Sequence, residues 1–132
     1  MTPRELDELT HLRRARDHID RHFSLPLDVP TMARTAAMSP AHFARRFRDV
    51  YGETPYSYLM TRRIERAQDL LRRGYSVTET CLAVGCTSLG SFSSRFTEIT
   101  GVAPSHYRSQ IHDHLASVPS CIVKSHLRPA RH

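Results

Sequence analysis

Arg45, Arg46 and Arg48 stand close together just behind a Ser39-Pro40 pair. A guanidinium donates from a rigid fork, two bonds at a time, to phosphate oxygens or to the O6 and N7 edge of guanine, so such a run suits a polyanion. The bias extends along the chain: of 132 residues, 19 are Lys or Arg and 13 are Asp or Glu, a net charge of +6, and Lys124 is the sole lysine. GC-rich codon usage also inflates arginine, so location has to separate the two causes. Residues 60–75 carry a net +3, residues 76–108 sum to zero and residues 109–132 add +2. Other chemistries find less support. His18 and His22, and His112 and His114, are spaced to share a metal, but no cysteine or carboxylate completes either set at zinc spacing, so surface histidines are expected. No Gly-rich phosphate loop, Gly-x-Ser-x-Gly elbow or His-Glu-x-x-His occurs, which argues against an enzyme and against a cofactor. Cys81, Cys86 and Cys121 are odd in number and lack Cys-x-x-Cys spacing; small buried hydrophobes or free thiols are expected rather than a disulfide framework.

What positions the arginines is a duplicated module. Phe43, Phe47, Gly52, Pro55 and Tyr58 recur 49 residues later as Phe92, Phe96, Gly101, Pro104 and Tyr107, and Ser39 recurs as Ser88. Upstream, Met32-Ala33 aligns with Cys81-Leu82 only after a one-residue slip. Each copy reads as helix, turn, helix. In the first, Leu27 to Ala37 holds a short apolar segment; Ser39 is an N-cap, Pro40 the first helical residue, and Phe43, Phe47 and Val50 form one apolar stripe ending before Gly52. In the second, Thr78 to Val84 precedes a turn at Gly85 and a cap at Thr87 or Ser88, with Phe92, Phe96 and Ile99 as the stripe before Gly101. Two short helices joined by a tight turn make a helix-turn-helix unit, whose second helix can enter a major groove.

Ser57 to Arg73 joins the copies without Gly or Pro and is closed by Gly74. Met60, Ile64, Ala67 and Leu71 make its apolar stripe, with Leu70 beside it, and Arg62, Arg63, Arg66, Arg72 and Arg73 load the rest with charge. A helix of about 17 residues is roughly 25 Å long, enough to hold two probes near one duplex turn apart. Leu6 to Phe23 reads as a further amphipathic helix, with Leu9, Leu12, Ile19 and Phe23 on its apolar side. Beyond Arg108 the pattern decays; a helical turn or two over 110–116 precedes a basic, poorly ordered tail, placed at 111–132. With 39% hydrophobic and 24% charged residues, no strand signal, no apolar run of membrane length and no signal peptide after Met1, the chain is expected to be an all-α cytoplasmic domain.

Ser39-Pro40-x-x-Phe43-x-x-x-Phe47-x-x-x-x-Gly52-x-x-Pro55-x-x-Tyr58, followed by Arg63-Ile64-x-x-Ala67-x-x-Leu70-Leu71, resembles the AraC/XylS-type bacterial transcription regulators. Val77, Gly85, Phe92, Phe96, Gly101, Pro104 and Tyr107-Arg108 are similar to that family's signature stretch. The resemblance covers about residues 8–110. It implies about seven helices forming two homeodomain-like helix-turn-helix subdomains, at about 28–51 and 77–100, joined by a long linker helix at about 57–73. It also implies sequence-specific binding of double-stranded promoter DNA, with RNA polymerase as a further partner. Similar proteins carry a separate sensing or dimerising domain, and this chain resembles the small stand-alone members or an excised binding domain. Thr80, Cys81 and Cys86 depart from the family's usual Ile, Ala and Phe, which points to looser packing of the second subdomain, and Ser94 stands where the family usually offers Arg.

Helical geometry selects the contacts independently. With Phe43 and Phe47 facing inward, Ala41, Arg45 and Arg48 point the opposite way, His42 and Arg46 lie on one flank with Asp49, and Ala44 on the other. Arg45 is the first choice for a guanine, Ala41 and Ala44 for thymine methyl groups, and Arg46 and Arg48 for phosphates. On the second copy Gly90, Ser94 and Thr97 face outward, with Ser93 beside them and Arg95 on the flank. Ser39 and Ser88 at the caps, and Arg62 or Arg66 on the linker, complete the candidate contacts. An asymmetric reader follows: the first helix discriminates bases, while the second supplies backbone hydrogen bonds and close approach. Since one chain carries two groove readers, it is expected to bind as a monomer. The alternative is a protein-binding module, an anti-activator or a polymerase-docking domain, that keeps the fold with weak or no DNA affinity; the neutral second face is its mark.

Overall fold

The computed structural model describes residues 1–116. Among them are seven helices and no strand: α1 (Pro3–His22), α2 (Val29–Thr35), α3 (Pro40–Tyr51), α4 (Pro55–Arg72), α5 (Val77–Ala83), α6 (Leu89–Thr100) and α7 (Pro104–Ala116). The all-α expectation holds. Among the described residues no helix is long and apolar enough to cross a membrane. The chain divides into two units, Met1–Arg62 and the part from Arg63 on, so that α4 contributes to both.

In the first unit α1 packs on α2 and α3, and α2 on α3. Leu12, Ala15 and Ile19 of α1, Met32, Ala33 and Ala36 of α2 and its cap, Phe43 and Phe47 of α3, and Leu59 of α4 are fully buried together. Phe47 is the aromatic hub, with ring centroids 5.6 Å from Phe43, 4.7 Å from Tyr51 and 5.7 Å from Tyr58. In the second unit α5, α6 and α7 pack pairwise. Its buried side chains are Ile64, Ala67, Leu70 and Leu71 of α4, Cys81 and Val84 around the end of α5, Cys86 in the turn, and Phe92 and Phe96 of α6. Phe96 repeats the hub with Phe92 at 5.9 Å and Tyr107 at 5.5 Å. Arg108 of α7 donates to the carbonyls of Gly74 (3.1 Å) and Tyr75 (3.0 Å), satisfying acceptors just past the end of α4.

The turns inside the two helix pairs share one hydrogen-bond pattern. Ala37 N–H donates to Arg34 and Met38 N–H to Ala33; Gly85 N–H donates to Leu82 and Cys86 N–H to Cys81. This is the Schellman termination, which needs a left-handed residue after the cap. The second copy supplies Gly85 at φ 91°, whereas the first forces Ala37 to φ 54°. The second copy then takes one more residue, Thr87, before its serine cap, which explains the one-residue slip in the repeat.

Several boundaries and burials differ from the sequence reading. α1 starts at Pro3 rather than Leu6, because Thr2 and Glu5 form a reciprocal capping box. α4 starts at Pro55 rather than Ser57, with Thr54 Oγ1 accepting from Ser57 N–H at 3.1 Å. α7 runs through Ala116, as the helical turns expected over 110–116 require, so the tail boundary placed at 111 falls inside it; Ile111 and His112 are half-buried and His112 lies over the Gly74 turn. The remainder of the expected tail, and Cys121, lie outside the described residues. Val50 and Ile99, read as core, are 36% and 41% exposed: two phenylalanines already fill the inner face of each helix. Arg63, read as part of the charged surface, is only 7% exposed. It lies beside the Cys86 thiol; burial pushes that thiol up while the Arg63 guanidinium pulls it down. Cys81 and Cys86 are buried free thiols. Thr80 is fully buried, and its hydroxyl finds no hydrogen-bond partner among the described residues, a cost an isoleucine there would not carry.

Candidate nucleic-acid interface

Ser39 accepts from His42 N–H at 3.3 Å and caps α3, Pro40 pre-sets its first turn, and Gly52 ends it in the left-handed region. With Phe43 and Phe47 anchored inward, Ala41, Arg45 and Arg48 are exposed on the opposite side, as the wheel requires, and Ala44 is half-buried. Among the described residues Arg45 and Arg48 have no carboxylate partner. Their guanidinium forks are therefore available to an external acceptor without first breaking an ion pair.

Arg46 and His42, on the flank, are held instead. Arg46 Nε donates to Glu8 Oε1 of α1 at 2.5 Å, and Arg46 Nη1 reaches Asp49 at 3.4 Å. His42 Nε2 lies 3.4 Å from the same Glu8 oxygen. The hydrogen bond from Arg46 holds the Glu8 carboxyl below its usual range, and the same bond raises the Arg46 guanidinium. An open cleft of about 360 Å³ adjoins this cluster, lined by Arg4, Glu8 and His11 of α1 and by Met38, Ser39 and His42. It is charged and open, unlike the apolar enclosure typical of a small-molecule site.

On α6, Ser88 accepts from Ser91 N–H at 3.2 Å and Gly101 ends the helix in the left-handed region. Gly90, Ser94 and Thr97 are exposed on the outer side, and Ser93 is half-buried. Thr97 Oγ1 donates back to the Ser93 carbonyl at 2.8 Å, so this hydroxyl's proton stays within the helix. A Cβ on Gly90 would meet nothing within 4 Å, so nothing in its own unit demands a glycine there. Arg95 pairs with Glu98 at 3.2 Å.

The linker arginines are tied within their own units. Arg62 Nε lies 3.3 Å from Asp20, which also accepts from Tyr58 Oη at 2.6 Å. Burial, then the bond to Asp20, pushes the Tyr58 phenol up to about 12. Asp69 gathers three guanidinium groups, Arg66 at 2.6 Å, Arg73 at 3.1 Å and Arg72 at 3.9 Å, and Arg72 also donates to Tyr107 Oη at 2.8 Å. The sequence reading missed Glu8 and Asp20, because each partner lies 38 residues away and no local pattern signals such a pair. As for metals, the His18 and His22 rings lie 4.6 Å apart, and burial lowers the His18 imidazole. Among the described residues no three His, Cys, Asp or Glu side chains gather as a metal site needs, and the His114 side chain lies outside the described part.

Residues 32–110 match the family described as a helix-turn-helix domain. The HTH-type transcriptional regulator YobQ of Bacillus subtilis is 29% identical over 96 residues, which cover 72% of this chain and 40% of that protein. The RCS-specific HTH-type transcriptional activator RclR of Escherichia coli is 37% identical over 84 residues, 63% of this chain and 30% of that protein. The chain thus spans less than half the length of these curated relatives. Among solved structures, the DNA-binding domain of the global transcriptional factor AdpA, in complex with a target DNA, superposes with a TM-score of 0.75 at 31% identity, covering 82% of this chain and 98% of that one. A transcriptional regulator of the AraC-type DNA-binding class from Chromobacterium violaceum gives 0.69 at 26% identity, covering 78% and 93%.

Proposed function

Because the chain belongs to the AraC-type helix-turn-helix family, we propose that it is a DNA-binding transcription regulator that reads a specific sequence in double-stranded promoter DNA. The observation that carries this reading is the outer face of α3, where Arg45 and Arg48 stand exposed and, among the described residues, without carboxylate partners while Ala41 leaves room for close approach. Arg45 contacts a guanine in the major groove, Arg48 a phosphate, and Ala41 and Ala44 face thymine methyl groups. α6 enters the next major groove and contributes backbone hydrogen bonds and close approach through Ser88, Gly90, Ser93, Ser94 and Thr97. The protein acts in the cytoplasm, as a monomer on DNA and without catalysis of its own.

Selecting bound duplexes from a random pool, then measuring mobility shifts against random competitor at about 0.15 M salt, tests the reading. Retention of selected duplexes over random ones is the expected result; binding that ignores sequence overturns it. The neutral outer face of α6 favours one rival, a module that binds a second regulator or RNA polymerase. No duplex retained, with RNA polymerase retained instead, would install that rival.

A further inference from the structure

We propose that Glu8 limits the chain's sequence-independent hold on DNA: from α1 it keeps the Arg46 guanidinium and the His42 imidazole off the phosphate backbone, leaving the exposed Arg45 to decide among sequences. The inference rests on the DNA-binding reading above. Four side chains of α3 can carry positive charge: His42, Arg45, Arg46 and Arg48. Two of them, one helical turn apart on the same flank, converge on a single oxygen of Glu8, at 2.5 Å and 3.4 Å. The cluster is half-shielded, with the Glu8 side chain 21% exposed and that of Arg46 30%. Such a pair is screened less by salt than a pair in open water.

The arrangement acts twice on an approaching duplex. It withholds a guanidinium that would otherwise neutralise a phosphate, and it presents a fixed negative charge on the flank where that phosphate would come. Contacts to phosphate strengthen binding to every sequence alike, whereas a base contact strengthens only the matching one. Withholding a phosphate contact therefore lowers affinity for every sequence by a similar factor and leaves discrimination to the base contacts. Asp49, 3.4 Å from Arg46, supports the hold from α3 itself but does not reach across to α1.

Glu8→Gln keeps the size of the side chain and removes its charge. In salt titrations on a selected duplex, the log–log slope should steepen by about 0.9 for the phosphate newly neutralised. Affinity for selected and for random duplexes should rise by a similar factor, so that their ratio stays near the wild-type value. Arg46→Gln alone should leave the wild-type slope, and the Glu8→Gln/Arg46→Gln double variant should return to it. An unchanged slope and unchanged affinities in Glu8→Gln would reduce Glu8 to a brace between α1 and α3 and overturn the proposal. Should Glu8→Gln fail to fold, Arg46→Gln decides: a shallower slope means Arg46 already meets a phosphate in the wild type, which also overturns it. A wild type with no sequence preference would instead sink the DNA-binding reading itself.

Discussion

In the first helix-turn-helix unit, a serine cap, two phenylalanines and a left-handed glycine present Ala41, Arg45 and Arg48 outward on α3; in the second, the same parts present Gly90, Ser94 and Thr97 on α6. Even the tyrosines 49 residues apart have diverged, since Tyr58 donates to the Asp20 carboxylate whereas Tyr107 accepts from Arg72. The frame is duplicated and the chemistry it displays is not. Phenylalanine and glycine answer to packing and backbone geometry, which are alike in both copies, while outward side chains answer only to what they meet.

The largest test of the shared frame removes a hub. Phe47→Ala and Phe96→Ala should each cost about 3–5 kcal/mol of stability by chemical denaturation. Phe47, in contact with three rings rather than two, should cost the more. Tolerance of one change but not the other would mean the two cores are not built alike. Next comes the divergent chemistry: Arg45→Ala should lose about 1–3 kcal/mol of specific binding and relax the preference at one base pair, with Ser94→Ala losing less. Footprints on an operator library that show the stronger discrimination in the α6 half-site would reverse the asymmetry. Gly90→Ala separates fold from contact, because the added Cβ meets nothing in the unit. Gly90 is the second residue of α6, so an alanine there should raise stability by less than the ~1 kcal/mol of a helix interior, and binding should weaken if the duplex approaches closely there.

The turns should answer with opposite signs. Gly85→Ala places a side chain at φ 91° and should destabilise by about 1 kcal/mol, whereas Ala37→Gly relieves φ 54° and should stabilise by a few tenths to about 1 kcal/mol. Paired thermal melts read both. The smallest effect is an acid one, peculiar to the first unit's α1. Glu8 titrates at about 4.5 when unpaired and lower when bound by Arg46, so the tie is present above pH 4.5 and is lost as pH falls through the lowered value. The melting-temperature gap between wild type and Glu8→Gln should narrow from pH 6 to pH 3.

How much of this was legible without coordinates follows the range of each interaction. Caps, phenylalanine stripes, glycine stops and the outward set on α3 and α6 obey spacings within a dozen residues, and the repeat made each visible twice. Thr2-Pro3-x-Glu5 was equally local and was passed over, which cost α1 its first turn. Other features depend on tertiary contacts that no window of sequence contains: the Glu8–Arg46 and Asp20–Tyr58 pairs. Arg63 stands at helical spacing from Met60, Ala67 and Leu70 on the apolar side of α4, unlike Arg62, and only its charge assigned it to the surface.

The unequal turns, Ala37-Met38-Ser39 in one copy and Gly85-Cys86-Thr87-Ser88 in the other, bear on how the halves can be recombined. A graft of α3 into the slot of α6 should be spliced at the serine, where both copies are in register, so that each recipient keeps its own connector. A splice made at the preceding alanine or glycine would import a connector one residue too short or too long and rotate the transplanted reader away from its seat.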